Sequence, residues 1–219
     1  MELSERLLAL RPEQRRHAAT LALWRLRAPL LAMELDPDWG IDPVVLEALF
    51  QAAASAPDRE SDRAYREALT ELCAAPLFSS EVDPETVELV QLETIASLLT
   101  FGEALTAGGI DEIEQVVERP RSLADHLDCV VANAFYAHPA EQARQHYVDS
   151  LDPSVGRYGL GYLGSRNLLA EFTCHEALPT LPTGQGLLAT PAGRALLSLC
   201  EEVGAELVAT LWWIRTTRH

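Results

Sequence analysis

The sequence predicts an all-α protein, an antiparallel bundle of about eight helices with one long irregular loop. Apolar residues recur at helical spacing through most of the chain, and no segment shows the strict alternation that is typical of a strand. Asp-Pro or Thr-Pro pairs precede several of these segments. Aspartate and threonine cap helix N-termini and proline suits the first turn, so the pairs indicate where helices begin.

These signals place the helices in order. The predicted helices are residues 12–35, 43–55, 58–73, 84–107, 110–118, 122–137, 139–150 and a last one from Pro191. Gly108 and Gly109 end the fourth, because glycine is the favoured residue just after a helix. Ser122 and Asp125 resemble a capping box with aspartate in place of glutamate, which predicts a separate helix from that point.

Residues 151–190 interrupt this pattern. They are rich in Gly, Pro, Tyr and Thr, and only a short helix at 165–174 is predicted among them. Long segments without clear secondary structure are uncommon in compact domains and are often functional. The chain is therefore expected to be one helical domain, residues 1–219, with a loop-rich insertion at about 151–190.

The chain contains no lysine. Its 17 basic residues are all arginine, against 33 acidic residues, for a formal net charge of −16. This composition excludes Schiff-base, P-loop and general-base lysines. The acidity also makes nucleic acid and anionic membrane surfaces unfavourable partners, and it favours a basic protein partner.

The N-terminal residues lack the basic region and long apolar run of a signal peptide. The most apolar segment, residues 20–35, is interrupted by Arg25 and Arg27, so no membrane span is expected. A cytoplasmic location follows as an expectation. The four cysteines have no metal-binding or redox spacing, and no cofactor is predicted.

The segment from residue 156 to 166 is the sharpest local feature. It contains four glycines together with Arg157, Tyr158, Tyr162 and Arg166. Glycines permit close backbone approach, while tyrosine and arginine are common in interfaces and anion sites. A short helix beginning at Ser165 would add its N-terminus to an anion site with Arg166. The alternative is a loop whose tyrosines pack back onto the bundle.

His175 and Glu176 complete the candidate ligand-binding set, which is Arg157, Tyr158, Tyr162, Arg166, His175 and Glu176. Cys174 beside His175 also has the residue types of a nucleophile and base, but adjacent residues usually point apart, and a solvated loop is the favoured interpretation. We assign no catalytic residue.

Two further clusters have simpler structural interpretations. His126 and Cys129 share a helix face as half of a metal site would, but no second ligand pair accompanies them. The alternative is a surface histidine beside a buried cysteine, and no metal is predicted. Trp212 and Trp213 suggest an aromatic patch, although at most one of two adjacent helical residues faces the core fully.

Three stretches of the chain resemble the bacterial YjaG-like family, a domain of unknown function built of antiparallel helices. They are LLALRPEQRRHAATLALWRLRAPLLA near the N-terminus, ETIASLLTFGEALTAGGIDEIEQVVERPRSLADHLD in the middle and LLSLCEEVGAELVATLWWIR near the C-terminus. The resemblance implies an all-helical fold and a bacterial origin. It implies no activity and no catalytic residue.

Two functions are compatible with these observations. The first is an acidic, non-enzymatic interaction protein, such as an adaptor or an immunity-type protein that binds a basic partner. The second is a small-molecule binder or enzyme with a site between the helical bundle and the 151–190 loop. The absence of a catalytic constellation favours the first. No oligomeric state is predicted.

Overall fold

A computed structural model describes residues 3–137 and 161–217 of the chain. These residues form eight α-helices and contain no strand, which confirms the predicted all-α bundle. The helices are α1 Leu3–Ala9, α2 Pro12–Leu31, α3 Pro43–Ala54, α4 Arg59–Cys73, α5 Thr86–Ala107, α6 Ile110–Ala137, α7 Tyr162–Ala177 and α8 Pro191–Thr217. The helix predicted at 139–150 lies outside the described residues.

Helix α2 is the centre of the bundle. It packs against α3, α5, α6, α7 and α8. Its own side chains from His17 to Leu26 are all buried; most are small or apolar, and His17, Thr20 and Arg25 are polar. Gly204 of α8 permits the closest approach, because a Cβ there would stand 3.0 Å from the Arg25 carbonyl oxygen. None of the described helices is both long enough and apolar enough to cross a bilayer.

The buried side chains form two hydrophobic clusters that share α2. The larger joins α2 to α3, α4 and α5, with Leu46, Phe50, Tyr65 and Phe101 fully buried. The smaller joins α2 to α6, α7 and α8, and includes Leu26, Leu127, Leu163 and Leu211. Burial of each large apolar side chain contributes about 1.5–3 kcal/mol to the free energy of folding. These clusters are therefore the main contribution to the stability of the bundle.

Side-chain caps confirm three of the predicted helix starts. The Asp42 carboxylate accepts a hydrogen bond from the Val44 N–H at 2.8 Å and begins α3. Asp58 accepts from two backbone N–H groups at 3.0 and 2.9 Å and begins α4. Thr190 Oγ1 accepts from the Gly193 N–H at 2.9 Å at the start of α8.

The boundaries of α5 were predicted correctly at one end only. Its C-terminus is followed by Gly108 in the left-handed conformation, with φ of 65°. Its N-terminus lies at Thr86 and not at Pro84, because Glu85 remains extended and begins the helix without a side-chain cap. Val82 packs partly against the larger cluster, which holds the preceding chain in an extended path.

The two helices predicted at 110–118 and 122–137 are one helix, α6, which passes through Pro120. Proline lacks an N–H and disfavours a helix interior by about 3 kcal/mol, so the local signals favoured a break. The apolar residues on both sides of the proline nevertheless form one buried stripe: Ile113, Val116, Val117, Leu123, Ala124 and Leu127. Burial of this stripe outweighs the cost of the proline.

The described part of the predicted 151–190 insertion is not an irregular loop. Residues 162–177 form α7, which is longer than the predicted helix at 165–174 and packs against α6 and α8. Two short 3-10 turns follow, with Leu178, Leu181 and Leu187 buried. Polar residues such as Asn167 and Glu171 occupy buried positions of α7, so its sequence lacks a continuous apolar stripe. Residues 151–160 lie outside the described part of the chain.

Candidate functional site

The structure does not bring the described candidate ligand residues together. Arg157 and Tyr158 lie outside the described residues. Tyr162 and Arg166 lie near the start of α7, whereas His175 and Glu176 lie in its last turn. Nine residues separate Arg166 from His175, which places them roughly 13 Å apart along the helix and on opposite faces.

The N-terminus of α7 was predicted to bind an anion. The group that it binds is a carboxylate of the same chain. Asp128 of α6 accepts hydrogen bonds from the backbone N–H groups of Leu163 at 3.0 Å and Gly164 at 2.8 Å. The helix begins at Tyr162, so Ser165 is an interior residue and does not cap it. Arg166 binds Glu206 of α8, with Nη2 to Oε1 at 2.9 Å, and this hydrogen bonding raises the pKa of Arg166.

The other end of α7 is also joined to neighbouring helices. Glu176 is exposed, and its Oε1 accepts a hydrogen bond from Arg6 Nη1 of α1 at 3.1 Å. His175 is buried, and burial lowers its pKa. Its Nε2 lies 3.9 Å from Glu171 Oε1, and that carboxylate opposes the shift. These residues therefore connect helices, and the described four do not line a common pocket.

A buried polar network runs along the inner face of α7. Arg121 of α6 binds Glu171 through two hydrogen bonds of 2.8 and 2.7 Å. Arg25 of α2 is 1% exposed, and its Nη1 donates to the Asn167 carbonyl oxygen at 3.4 Å. Among the described residues no carboxylate lies within 4 Å of the Arg25 guanidinium.

The thiols beside this network are buried in the core. Cys174 and Cys200 are free cysteines on the adjacent helices α7 and α8, and they are 2% and 0% exposed. Burial raises the pKa of Cys200 well above its ordinary value. Cys174 and His175 are both buried, whereas Glu176 is exposed and binds Arg6 of α1.

The remaining candidate clusters lie on the surface. His126 and Cys129 are both exposed, so Cys129 is not the buried residue that was expected. Within the described ranges, no three His, Cys, Asp or Glu side chains are grouped so that they could hold a metal ion. Trp212 is 46% exposed with Arg215 5.8 Å from its ring centroid, whereas Trp213 packs partly against the smaller cluster.

The strongest candidate site is formed by two stretches of the sequence that contain no basic residue. Residues 28–58 and 67–118 carry carboxylates but neither arginine nor histidine. The α2–α3 connection of the first stretch contacts the α4–α5 connection of the second, through the short turns Pro37–Trp39 and Pro76–Ser79. We call this region the acidic end. Its exposed carboxylates are those of Glu34, Asp36, Asp38, Asp42, Glu81, Asp83 and Glu85.

The α2–α3 connection is held in one conformation by its own side chains. Trp39 is buried and anchors it in the larger cluster. Asp36 Oδ1 accepts from the Asp38 N–H at 2.9 Å, and Gln91 of α5 donates to the Glu34 carbonyl oxygen at 3.3 Å. Gly40 adopts a φ of 60°. The carboxylates of this segment are therefore presented on a fixed backbone.

A pocket of about 410 Å³, lined by both apolar and polar groups, opens between the end of α2 and the start of α3. We call it the loop pocket. Its wall includes Leu31, Met33, Leu35 and Ile41, together with the acidic residues Glu34 and Asp36. Two large apolar side chains are exposed at this end of the bundle: Val44 at 72%, in the first turn of α3, and Phe78 at 43%, in the α4–α5 connection. The acidic end thus combines negative charge with accessible apolar surface.

At the opposite end of the bundle, arginines form hydrogen bonds with other residues of the chain. Arg15 Nη2 donates to the Leu8 carbonyl oxygen at 2.6 Å, and Arg16 Nη1 donates to Asp62 at 2.6 Å. A pocket of about 440 Å³ lies beside these two arginines. Its carboxylates are engaged, because Asp62 binds Arg16 and Glu13 accepts from the Gly184 N–H at 2.5 Å. The two carboxylates and two arginines of this pocket carry equal and opposite formal charges.

The acidic end was missed when the sequence was considered helix by helix. The signal that could have found it is the distribution of arginine, since two long stretches lack any cation. That these stretches meet in space depends on the contact between two loops that are distant in sequence. Neither composition nor helical periodicity predicts such a contact.

Comparisons with known proteins provide no relative for this chain. No protein-family model matches it, no curated protein is similar to it, and no solved structure matches its fold.

Proposed function

We propose that the protein is a non-enzymatic interaction protein whose acidic end binds a basic protein partner, as an adaptor or an immunity-type protein does. The observation that carries this proposal is the meeting of two cation-free stretches at one end of the bundle. Negative charge concentrated on one face attracts a positively charged surface and orients it during the encounter.

Internal pairing of the arginines supports the proposal. Half of the arginines within the described ranges form ion pairs with carboxylates of the same chain: Arg6, Arg16, Arg27, Arg63, Arg119, Arg121 and Arg166. Since the chain has a net charge of −16, this pairing leaves a large excess of carboxylates that face solvent. At the acidic end, no basic side chain of either stretch offsets them.

The fixed backbone of the acidic end also favours binding. A docking surface that is already ordered loses little conformational entropy when a partner binds. The buried Trp39, the Asp36 cap and the Gln91 contact order the α2–α3 connection before any partner arrives. The carboxylates of Asp36 and Asp42 have a structural role as caps, so Glu34, Asp38, Glu81 and Asp83 are the better positions for a charge test.

The proposal is tested with a fluorescein-labelled peptide of alternating Arg, Lys, Gly and Ser residues, titrated with the protein and followed by anisotropy. The variant Glu34→Gln/Asp38→Asn/Glu81→Gln/Asp83→Asn removes four exposed carboxylates of the acidic end. Exposed ion pairs contribute a few tenths of a kcal/mol each, so the Kd is expected to rise about tenfold. The salt dependence of binding is expected to decrease as well.

The matched control removes the same number of carboxylates elsewhere. Glu103→Gln/Glu114→Gln/Glu118→Gln/Asp125→Asn changes side chains on α5 and α6, away from the two connections. This control is expected to change the Kd by less than about threefold, through long-range charge alone. Equal losses in the two variants, or no saturable binding to the wild-type protein, would show that the acidic end is not the docking surface.

A further inference from the structure

We propose that the loop pocket takes one apolar side chain of the partner, so that the acidic end recognises a short segment in which a leucine- or phenylalanine-like residue is flanked by Arg or Lys. This inference rests on the proposed function and specifies the partner for the same site. It is carried by a pocket whose wall contains both apolar side chains and the carboxylates of Glu34 and Asp36.

The pocket has the size and lining of a side-chain binding site. Its volume of about 410 Å³ lies toward the small end of the range for ligand pockets, about 300–1,000 Å³. Leu31, Leu35 and Ile41 line it and are only half-buried in the bundle. A partner side chain that covers their remaining apolar surface removes it from water, which is favourable in proportion to the area covered.

The charges around the pocket select the residues that flank this side chain. Glu34 and Asp36 belong to the pocket wall, and Asp38 follows in the same turn. A segment with Arg or Lys beside its apolar residue gains ion pairs at this rim. An acidic segment with the same apolar residue is repelled, so the rim discriminates between them.

The backbone around the pocket favours a fixed shape. Gly40 stands in the left-handed conformation, and a Cβ at this position would lie 2.6 Å from Pro76 Cδ. The two connections are therefore in direct contact beside the pocket. Val44, in the first turn of α3, and Phe78, in the α4–α5 connection, are also exposed.

Two labelled peptides test the inference. Both carry Arg and Lys at the same positions, and they differ at one central residue, which is leucine in the first and serine in the second. The wild-type protein is expected to bind the leucine peptide about tenfold more tightly, because burial of one large apolar side chain is worth at least that factor.

A variant that fills the loop pocket tests whether this pocket is the source of the preference for leucine. Ala32 lines the loop pocket and is exposed, so Ala32→Phe occupies the pocket without disturbing the core. This variant is expected to bind the two peptides equally. Ala205 is exposed on α8, away from the pocket, and Ala205→Phe is expected to retain the tenfold preference for leucine.

The outcomes separate this inference from the proposed function. If the wild-type protein binds the two peptides equally, or if Ala32→Phe retains the preference for leucine, the pocket does not hold the side chain. A loss of affinity in the four-carboxylate variant would then still support the acidic end as the docking surface. If that variant also binds as tightly as the wild type, the proposed function itself is wrong.

Discussion

Arg121 on α6 donates two hydrogen bonds to Glu171 on α7, from Nε at 2.8 Å and from Nη2 at 2.7 Å. The Glu171 side chain is 1% exposed, whereas that of Arg121 is 30% exposed. The pair therefore brings a carboxylate into the interior and compensates its charge with an arginine at the edge. A buried carboxylate that loses such a partner is costly, because its charge is then left uncompensated away from water.

We predict that Arg121→Met lowers the free energy of unfolding by about 3 kcal/mol, since it leaves Glu171 buried without its guanidinium. The double variant Arg121→Met/Glu171→Leu is expected to recover most of this loss, because it removes the buried charge as well. Urea denaturation measures both. Arg63→Gln is the control, because Arg63 and Glu67 form an exposed pair, and its expected change is below about 0.5 kcal/mol. A loss in the double variant as large as in Arg121→Met would contradict the prediction.

Stability is predicted to fall as the pH decreases below about 6.5. His17 and His175 are buried, and burial lowers the pKa of each below the ordinary value of 6.5. The unfolded chain therefore binds protons at a higher pH than the folded chain does, so acidification favours unfolding. The free energy of unfolding is expected to decrease by up to about 1.4 kcal/mol per pH unit for each histidine.

Urea unfolding between about pH 7.5 and pH 5.5 measures this slope, in a range above the titration of ordinary carboxylates. The variant His17→Gln/His175→Gln is expected to have a flatter profile, whatever its stability at neutral pH. His126→Gln is the control, because His126 is exposed. A slope that is the same in the double variant and in the wild type would exclude the two buried histidines as its cause.

The four cysteines are predicted to react in two classes. Cys73 and Cys129 are exposed, whereas Cys174 and Cys200 are buried. The thiolate is the reactive species. Burial raises the pKa of Cys200, whereas a hydrogen bond with Cys200 lowers the pKa of Cys174. Both thiols are nevertheless shielded from the reagent, so they are expected to react only when the bundle opens. Mass spectrometry after brief iodoacetamide treatment should find label on Cys73 and Cys129. Equally rapid labelling of Cys200 would contradict its position in the core.

Gly40→Ala is predicted to destabilise the protein more than Gly108→Ala does. Both glycines have a positive φ, 60° and 65°, which costs an alanine about 1 kcal/mol. At Gly40 the new methyl group would also stand 2.6 Å from Pro76 Cδ, whereas at Gly108 nothing lies within 4 Å. We expect losses of about 2–4 and about 1 kcal/mol respectively in urea denaturation. Equal losses would show that the two connections are not in close contact.

Three helix starts were predictable because they depend on neighbouring residues. Asp42, Asp58 and Thr190 cap helices through hydrogen bonds to N–H groups two or three residues ahead, so a short window of sequence contains the whole interaction. The end of α5 was predictable for the same reason, because it depends on the left-handed Gly108 that directly follows the helix.

The errors occurred where distant contacts decide the structure. At Pro120 the local signal favours a break, yet burial of the apolar stripe of α6 keeps the helix continuous. In α7 the polar residue Glu171 is buried because Arg121 of α6 supplies its partner. The acidic end likewise depends on the contact between two loops, and the candidate anion site at Arg166 is satisfied by Glu206.

The most direct test of the central claim is to map where a basic peptide contacts the protein. Amide chemical shifts of the isotope-labelled protein are followed in ¹⁵N–¹H spectra while the peptide of Arg, Lys and a central leucine is added at low salt. We predict saturable shift changes concentrated in residues 32–44 and 76–85, which form the acidic end and the wall of the loop pocket. Changes concentrated at the opposite end, around Arg15 and Arg16, or spread without saturation over all acidic surfaces, would contradict the account.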